Sequence, residues 1–418
     1  MNQRKHEKVF TVRSLEEARD ILFSADPPGI KTLISTLFIK TWVFGANCVL
    51  RISKYILFKE WRYSTEEFSN IVIYTVGIVG DNVVMLPALA AIRRRYPEAT
   101  ITVITNCQIW DPQGAVSILK PSPYKDRLIV LNDHPVQRRG LHLQMDKTKF
   151  EGIGCDLFVN LSPFGNRGWI GAVFREMFFA RMLGAKYAVG FRMSTYNRGG
   201  ILNRVQYRFV KNEPRRSREV LRELGLKPVE NEDLLFCDPL AKRSILEKVK
   251  QSSNNHQPLF VINPGAKFES QCWPAKRFGN IASRLANHYD IIIVITGIAK
   301  EKHIAEEVVK SSGDTAVNLV GETNLQELIE LLRIAKGCVT NDTGTMHLAA
   351  MIGVPTVAIF STRHSPTHWL PVGENVVSVF CIVDCIYCYN DFCDKLDCLN
   401  RIEVNDVFRA LKEFLDSP

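Results

Sequence analysis

Two stretches of this chain alternate between short apolar runs and helical patterns, and this alternation restricts the possible folds more than any other feature. In the first stretch, β-branched runs predict strands at 69–76, 99–105, 127–131, 156–161 and 187–191. A helical pattern over 83–97 joins the first two strands, which is the arrangement of a βαβ unit. Strands that are apolar nearly throughout are typical of parallel sheets buried on both faces.

The second stretch repeats the pattern. Strands are predicted at 258–262, 291–296, 316–319, 338–341 and 355–360, with helical patterns between them. A chain of 418 residues is long enough for two cores. We therefore predict an α/β protein in which two Rossmann-like, doubly wound domains face each other across a cleft.

Changes of composition suggest the domain boundaries. The predicted divisions are an N-terminal helical extension at 1–66, a first Rossmann-like domain at 67–240, a second at 256–402 and a C-terminal helix at 403–418. A polar, breaker-rich linker is predicted across 235–257.

The extension contains an apolar stretch, 30–57, with four basic residues and no acidic ones. Its longest uncharged run, 41–50, is half of the about 20 residues that a membrane-spanning helix needs. Two interpretations stay open: a helix lying in the membrane interface, as a peripheral contact, or helices packed on the main body.

Composition narrows the class of partner. The chain is 46% hydrophobic and 23% charged, as folded proteins are, and its formal net charge of +9 favours acidic partners. Basic and aromatic residues do not interleave as in nucleic-acid-binding proteins, so no nucleic acid partner is expected. The charged N-terminus has no signal-peptide pattern, so we expect a cytoplasmic protein with reduced thiols.

The first chemical motif is Gly77-Ile-Val-Gly80-Asp81, between the first strand and its helix. Two glycines allow a tight turn at the carboxyl end of a parallel strand, where ligands of such sheets bind. Asp81 could be a general base directed at a substrate, or it could simply cap the helix.

Two further turns follow strands of the second domain. Gly265 and Lys267 lie in Asn-Pro-Gly-Ala-Lys, where a glycine turn with a nearby lysine suits an anion. Glu301 follows Thr296-Gly297, where a carboxylate can accept hydrogen bonds from a ribose diol. The alternatives are a solvent-exposed lysine and an acidic residue in the first turn of a helix.

The strongest motif is Thr-Asn-Asp-Thr-Gly-Thr-Met-His at 340–347. A strand ends and a helix begins here, so the N–H groups of Thr343, Gly344 and Thr345 would be unpaired and could bind a diphosphate. Asp342 precedes this turn. His347 lies on the first helical turn, and could equally be a structural core histidine.

Cysteines crowd near the C-terminus. Cys385, Cys388, Cys393 and Cys398 have spacings that suit a structural Zn or Fe site, with packed thiols as the alternative. A basic cluster of Lys211, Arg215, Arg216 and Arg218 is a candidate for an anionic acceptor, or a solvated surface.

Four segments together resemble glycosyltransferase family 9, the lipopolysaccharide heptosyltransferases: GDNVVMLPALAAIRRRYPEATITVIT, NPGAKFESQCWPAKRFGNIASRL, NLVGETNLQELIELL and VTNDTGTMHLAAMIGVPTVAIF. The similarity runs from about residue 71 to residue 407. It implies a GT-B fold and transfer of a sugar, by resemblance heptose from ADP-heptose, with inversion and with no cofactor for the chemistry. The implied acceptor is an anionic glycolipid such as inner-core lipopolysaccharide.

The resemblance also implies roles for single residues. It assigns Asp81 to the catalytic base with Gly80 beside the acceptor, Thr343, Gly344 and Thr345 to the diphosphate turn, Asp342 and His347 to its neighbours, Glu301 to the ribose, and Gly265 to the donor-binding loop.

One departure matters: the family usually has a phosphate-contacting lysine two residues before Trp-Pro, and this chain has Gln271 there. Lys267 could substitute for it. Two rivals therefore stay open. One is a protein heptosyltransferase, which the cysteine cluster favours, and the other is a non-catalytic sugar-nucleotide-binding protein of the same fold, which Gln271 favours.

Overall fold

The computed structural model describes residues 8–25, 30–59, 67–106, 114–139, 142–163, 170–192, 212–252, 257–313 and 316–416. The chain forms two compact units: residues 28–230 make one, here called the inserted unit, and residues 1–27 with 231–418 make the other, the outer unit. The stretch predicted as a single N-terminal extension is thus divided between the two.

The helices and strands are numbered along the chain. The helices are α1 (Leu15–Ala25), α2 (Ile30–Leu57), α3 (Val79–Val83), α4 (Leu86–Arg95), α5 (Gly114–Leu119), α6 (Ile170–Met182), α7 (Arg216–Glu223), α8 (Pro239–Ser252), α9 (Ala275–His288), α10 (Lys302–Ser311), α11 (Leu325–Ile334), α12 (Gly344–Ile352), α13 (Pro366–Trp369), α14 (Asp397–Asn400) and α15 (Val404–Leu415). The strands are β1 (Lys8–Val12), β2 (Asn70–Tyr74), β3 (Thr100–Asn106), β4 (Arg127–Leu131), β5 (Val136–Arg139), β6 (His142–Met145), β7 (Leu157–Asn160), β8 (Tyr187–Val189), β9 (Leu259–Asn263), β10 (Ile292–Ile295), β11 (Ala316–Asn318), β12 (Ala335–Asn341), β13 (Thr356–Phe360) and β14 (Val376–Ile382).

The inserted unit is built on a parallel sheet with the strand order β4-β3-β2-β7-β8. The order reverses at β2, because β3 and β4 lie on one side of it and β7 and β8 on the other. Ligands of open parallel sheets bind at such a switch point, beyond the carboxyl ends of the strands. The turn that follows β2 therefore occupies the position where this fold places a ligand.

The outer unit has the strand order β1-β14-β13-β12-β9-β10-β11, in which every pairing is parallel except that of β1 with β14. Its switch point lies between β9 and β12. The core on the sheet includes the fully buried pair Trp273 and Phe278, whose rings meet edge to face at 5.0 Å. Two doubly wound α/β units, as predicted, are confirmed by these sheets.

Two elements depart from the sequence prediction. The predicted linker contains α8, because Ala241, Ile245 and Val249 recur every four residues and are buried against the unit, where α8 packs on α11. The fully buried strand β14 and its antiparallel neighbour β1 were not predicted at all.

Candidate functional site

In the inserted unit, Asp81 lies in the turn after β2. Its Oδ2 accepts a hydrogen bond of 2.8 Å from the backbone N–H of Ile78. This satisfies a donor that the first turn of α3 leaves without an intrahelical partner. Buried Asn82 donates to the carbonyls of Gly77 and Ile78, at 3.2 and 2.9 Å. Asp81 therefore caps its helix from a firmly held turn, and its role as a base stays a proposal.

The glycine before this turn is required by the position of Asp81. Gly77 has φ +155, and a Cβ on it would lie 2.3 Å from the Cβ of Asp81 and 2.4 Å from its Oδ2. No side chain fits into that space without moving the carboxylate. Gly80, in α3, is buried beside it.

The members of the basic cluster in the same unit differ in their burial. Arg216 is 4% exposed, and its Nε donates to Glu213 at 3.0 Å, so its guanidinium is used inside the unit. It therefore cannot meet an acceptor at the surface, contrary to the prediction. Arg215 is half-buried, and Arg218 pairs with Glu230 at the surface. Lys211 lies outside the described residues.

In the outer unit, Glu301 lies against two glycines. A Cβ on Gly265 would lie 2.2 Å from the Cδ of Glu301, and a Cβ on Gly297 would lie 2.7 Å from its Oε2. Oε2 accepts a hydrogen bond of 2.9 Å from the N–H of Ile298. Burial raises the pKa of Glu301. The loop after β9 and the turn after β10 thus meet at this carboxylate.

The two units share one local arrangement, in which an acid accepts a backbone N–H from three residues earlier. Gly77-Ile78 precedes Asp81 as Gly297-Ile298 precedes Glu301, and each acid accepts the N–H of the isoleucine three residues before it. Each arrangement follows a parallel strand of a Rossmann-like sheet. In both acids one carboxylate oxygen is bonded to the backbone, which fixes the orientation of the side chain.

Asn341, at the end of β12, connects the loops of the outer site. Its Nδ2 donates to the carbonyl of Pro264 at 2.7 Å, and its Oδ1 accepts the N–H of Trp273 at 3.1 Å. Asn263, at the end of β9, donates to the carbonyl of Thr296 at 3.0 Å. The carboxyl ends of β9, β10 and β12 are therefore bonded into one platform.

The predicted diphosphate turn forms on this platform. Thr343 precedes α12 in an extended conformation, and its hydroxyl lies 3.3 Å from that of Thr340. Thr343 and Gly344 are partly exposed, while Thr345 is buried. The first N–H groups of a helix have no intrahelical partner and favour an anion. The structure thus places Thr343, Gly344 and Thr345 at a helix start, and their role in binding a diphosphate stays a prediction.

Gln271 is brought to the same turn, 7% exposed, and its Nε2 donates to Oδ2 of Asp342 over 3.5 Å. On the other side, Nε2 of His364 lies 3.3 Å from that oxygen. Burial raises the pKa of Asp342 to about 7 and lowers that of His364 to about 3. Near neutral pH this buried pair therefore carries no imidazolium.

Sequence reasoning missed the segment after β13. Arg363, which is 4% exposed, donates to the carbonyl of Asn390 at 2.7 Å and lies over the rings of Phe268 and Tyr389. Trp369 packs edge to face on His347, with ring centroids 5.7 Å apart. The signal was available, since this segment follows a strand of the same sheet and its residues reach the same edge.

Lys267 is exposed, and its ammonium lies 5.3 Å from the centroid of the Phe268 ring. The contact is a cation–π interaction at the surface of the loop. The structure therefore gives Gln271, rather than Lys267, a contact with the residue that precedes the diphosphate turn.

Replacing His347 with phenylalanine should reduce the acid sensitivity of the fold. Burial lowers the pKa of His347 to about 4, whereas an unfolded histidine titrates near 6.5. Because only the unfolded state takes up the proton between these values, stability is lost as pH falls from about 6.5 towards 4, by about 2 kcal/mol at pH 5. The measurement is the drop in Tm between pH 7.5 and pH 5, which should be smaller in the variant.

Asp342 acts in the opposite direction, since its raised pKa makes stability fall as pH rises from about 4 to 7. The difference between wild type and His347→Phe isolates the histidine, because Asp342 is present in both. An equal drop in Tm in the two proteins would show that His347 can be protonated in the folded state.

The four cysteines line one cavity of about 390 Å³ in the outer unit, together with Arg363 and Lys395. Burial raises the pKa of Cys398 to about 11, and burial also raises that of Cys385. Among the residues that the structure describes, no three His, Cys, Asp or Glu side chains are grouped as metal ligands. The four thiols surround this one cavity, and a structural Zn or Fe site there stays a prediction.

Comparison with known proteins gives a consistent likeness. The sequence model of glycosyltransferase family 9 (heptosyltransferase) matches residues 174–396, more than half of the chain. Lipooligosaccharide heptosyltransferase 2 of Haemophilus influenzae is 27% identical over 152 residues, which are 35% of this chain and 43% of that protein. The chain thus matches less than half the length of this relative.

Two solved structures share the architecture. A family 9 glycosyl transferase from Veillonella parvula matches 85% of this chain and 100% of its own, with a TM-score of 0.61 and 19% identity. The ADP-heptose lipopolysaccharide heptosyltransferase II of E. coli matches 83% and 98%, with a TM-score of 0.58 and 18% identity. At such identities the likeness concerns the fold, and it agrees with the GT-B class expected from the sequence.

Proposed function

Because this chain belongs to glycosyltransferase family 9 (heptosyltransferase), we propose that it transfers a sugar from a nucleotide diphosphate donor to a glycan acceptor with inversion. By family, the sugar is heptose, the donor is ADP-heptose and the acceptor is inner-core lipopolysaccharide at the cytoplasmic face of the membrane. The observation that carries the proposal is the platform of the outer unit. There Asn341, just before the turn proposed to bind the diphosphate, donates to the carbonyl of Pro264, and Glu301 lies against the adjoining Gly265.

The donor half of the proposal follows from that platform. Glu301 would accept hydrogen bonds from the two ribose hydroxyls with the oxygen lone pairs that the Ile298 N–H leaves available. Thr343, Gly344 and Thr345 would bind the diphosphate through backbone N–H groups and hydroxyls, aided by the dipole of α12. Because burial keeps the pKa of His347 at about 4, this histidine would donate an N–H without adding positive charge.

The chemical step assigned to this chain is a single displacement at the anomeric carbon. Asp81 would take the proton from the acceptor hydroxyl as its oxygen attacks, and the nucleoside diphosphate would leave with the bonding electrons. The turn before α12 would stabilise the negative charge that develops on the leaving diphosphate. The family's chemistry calls for no cofactor, so each of these roles falls to a side chain or backbone group of the protein.

The outer surface of the inserted unit would recognise the acceptor. Among the described members of the predicted basic cluster, Arg215 and Arg218 are accessible, and an anionic core glycan matches their charge. The non-catalytic rival rests on one observation: Gln271, buried at the phosphate turn, offers an amide where the family usually has a charged lysine. A sugar-nucleotide-binding protein would keep the donor site and show no turnover.

Titration calorimetry with nucleotides tests the donor assignment. We expect ADP to bind at least about tenfold more tightly than UDP or GDP, since a 1.4 kcal/mol difference in base contacts gives that ratio. Thr343→Val keeps the shape and loses the hydroxyl, so it should weaken ADP binding by several-fold.

Thr356→Val is the matched control, because Thr356 is a fully buried threonine whose hydroxyl bonds the Val354 carbonyl within the fold. Preference for UDP or GDP would be consistent with sugar transfer but would exclude ADP-heptose as the donor. Absence of binding to all three nucleotides would contradict the donor site itself.

A further inference from the structure

The outward side of α2 carries a row of large apolar side chains, here called the α2 apolar face: Trp42, Phe44, Val49, Ile52, Tyr55 and Ile56. Phe44, Tyr55 and Ile56 are 71%, 68% and 75% exposed, and Ile52 is 61% exposed. Single exposed apolar residues are ordinary on soluble proteins. A contiguous row of this size is typical of a surface that contacts a membrane or another protein.

The opposite side of the helix fixes its orientation. Leu50 is 1% exposed and Ala46 is 8% exposed, and both pack into the core of the inserted unit with Val173 and Met177 of α6. The ammonium of Lys54 lies 2.7 Å from a carboxylate oxygen of Glu223. Rotation of α2 is therefore set by packing, and the α2 apolar face is held outward.

Charge is distributed unevenly around the same helix. At about 100° per residue, the α2 apolar face occupies one half of the helix surface, and the exposed Lys40 and Arg51 lie along one border of that half. The 28 residues of α2 include no Asp or Glu. The outward surface is therefore apolar in the middle and basic at its border.

Among the described residues, no helix is long and apolar enough to cross a membrane. An amphipathic helix that presents aromatic and aliphatic side chains beside Lys and Arg has the composition of helices that lie in the bilayer interface. Trp and Tyr are enriched at that depth, because their rings are apolar and their polar groups reach water.

We propose that α2 docks this protein on an anionic lipid bilayer, with the α2 apolar face inserted among the lipid headgroups and Lys40 and Arg51 close to lipid phosphates. The docking is independent of sugar transfer and requires no spanning segment. A second copy of the chain is a weaker occupant, since pairing two such faces would bring basic borders of like charge together within a protein whose net charge is +9.

Vesicle co-sedimentation of the full chain tests the proposal. The probe is a set of large vesicles of phosphatidylethanolamine and phosphatidylglycerol at 3:1, compared with vesicles of phosphatidylcholine alone. We expect at least about tenfold stronger partition to the anionic vesicles, decreasing with added salt. The triple variant Phe44→Gln, Ile52→Gln, Ile56→Gln should lose about tenfold or more of this binding.

The chain supplies a matched control. Phe392 is 74% exposed and lies in the outer unit, so Phe392→Gln removes an equally exposed ring elsewhere and should leave partition unchanged. Arg51→Gln should reduce the preference for anionic lipid and keep part of the binding. Because all of these side chains are exposed, the variants should melt within a few degrees of wild type, which checks that they fold.

A fluorophore on Cys48 reports depth directly, since this exposed cysteine lies on the outward side of α2. Its emission should shift to the blue with anionic vesicles, and subtraction of a labelled Cys48→Ser sample removes the signal of other thiols. Equal partition of the triple variant and wild type would overturn the proposal. So would failure of wild type to bind vesicles while it forms a dimer that the triple variant abolishes.

Discussion

Asp81→Asn is expected to lower kcat by about 10²- to 10⁴-fold, the contribution of a positioned general base. Asparagine has the size of aspartate, and its Oδ1 can still accept the N–H of Ile78, which Asp81 now binds at 2.8 Å. It cannot take a proton from an acceptor hydroxyl. The measurement is ADP release from ADP-heptose in the presence of an inner-core lipopolysaccharide acceptor.

Asp156→Asn is the control for this variant. Asp156 also accepts a backbone N–H, that of Asn70 at 3.0 Å, but it lies at the amino-terminal edge of the same sheet, where it pairs with Lys186. It should keep wild-type kcat. The Kd for ADP should be unchanged in Asp81→Asn, since the proposed donor residues belong to the other unit. Full turnover by Asp81→Asn would mean that Asp81 acts only as a helix cap.

Gly265→Ala should weaken ADP binding by about 10- to 100-fold, which corresponds to loss of one or two hydrogen bonds to a charged group. The added methyl would lie 2.2 to 2.4 Å from three carboxyl atoms of Glu301, so the carboxylate has to leave its place. Asn341 holds the adjoining Pro264 carbonyl at 2.7 Å, which hinders the loop from moving away instead.

A double-mutant cycle separates this mechanism from general damage. If Gly265→Ala acts by displacing Glu301, then Glu301→Ala should have a similar effect alone, and the two changes together should cost little more than either. Gly45→Ala is the control, because a Cβ on Gly45 meets nothing within 4 Å. Additive losses in the double variant would mean that Gly265 contributes to binding by another route.

Much of the fold could be predicted because parallel strands buried on both faces appear in the sequence as continuous apolar runs. The strand β4 was predicted to the residue and β13 to within one residue, and the C-terminal helix predicted at 403–418 spans 404–415. The elements that were not predicted were missed for physical reasons. The period of Ala241, Ile245 and Val249 in α8 was outweighed by the polar residues around it, and β1 follows a strongly charged start.

Candidate site residues could be proposed from the sequence where they lie in one local turn, and their roles stay predictions. Contacts between distant parts of the chain could not be predicted. The turn at 343–345 and the acid Glu301 were found from strand ends and glycines. The contact between Gln271 and Asp342 joins residues 71 positions apart, and the burial that raises the pKa of Asp342 has no local signal. Burial of Arg216 reversed its expected role in the same way.

The antiparallel pairing of β1 with β14 makes residues 28–230 an insertion, so the backbone passes between the units twice, near 27 and again near 230. A fragment that starts at residue 231 would leave the hydrogen-bonding edge of β14 uncovered, and bare strand edges recruit other chains. Severing the backbone near 230 leaves the fragments joined only through non-covalent contacts, among them five paired positions from Lys8–Ile382 to Val12–Ser378. The outer unit thus depends on a short strand that lies before the insertion in the chain, and a fragment of that unit has to include residues from both sides of the insertion.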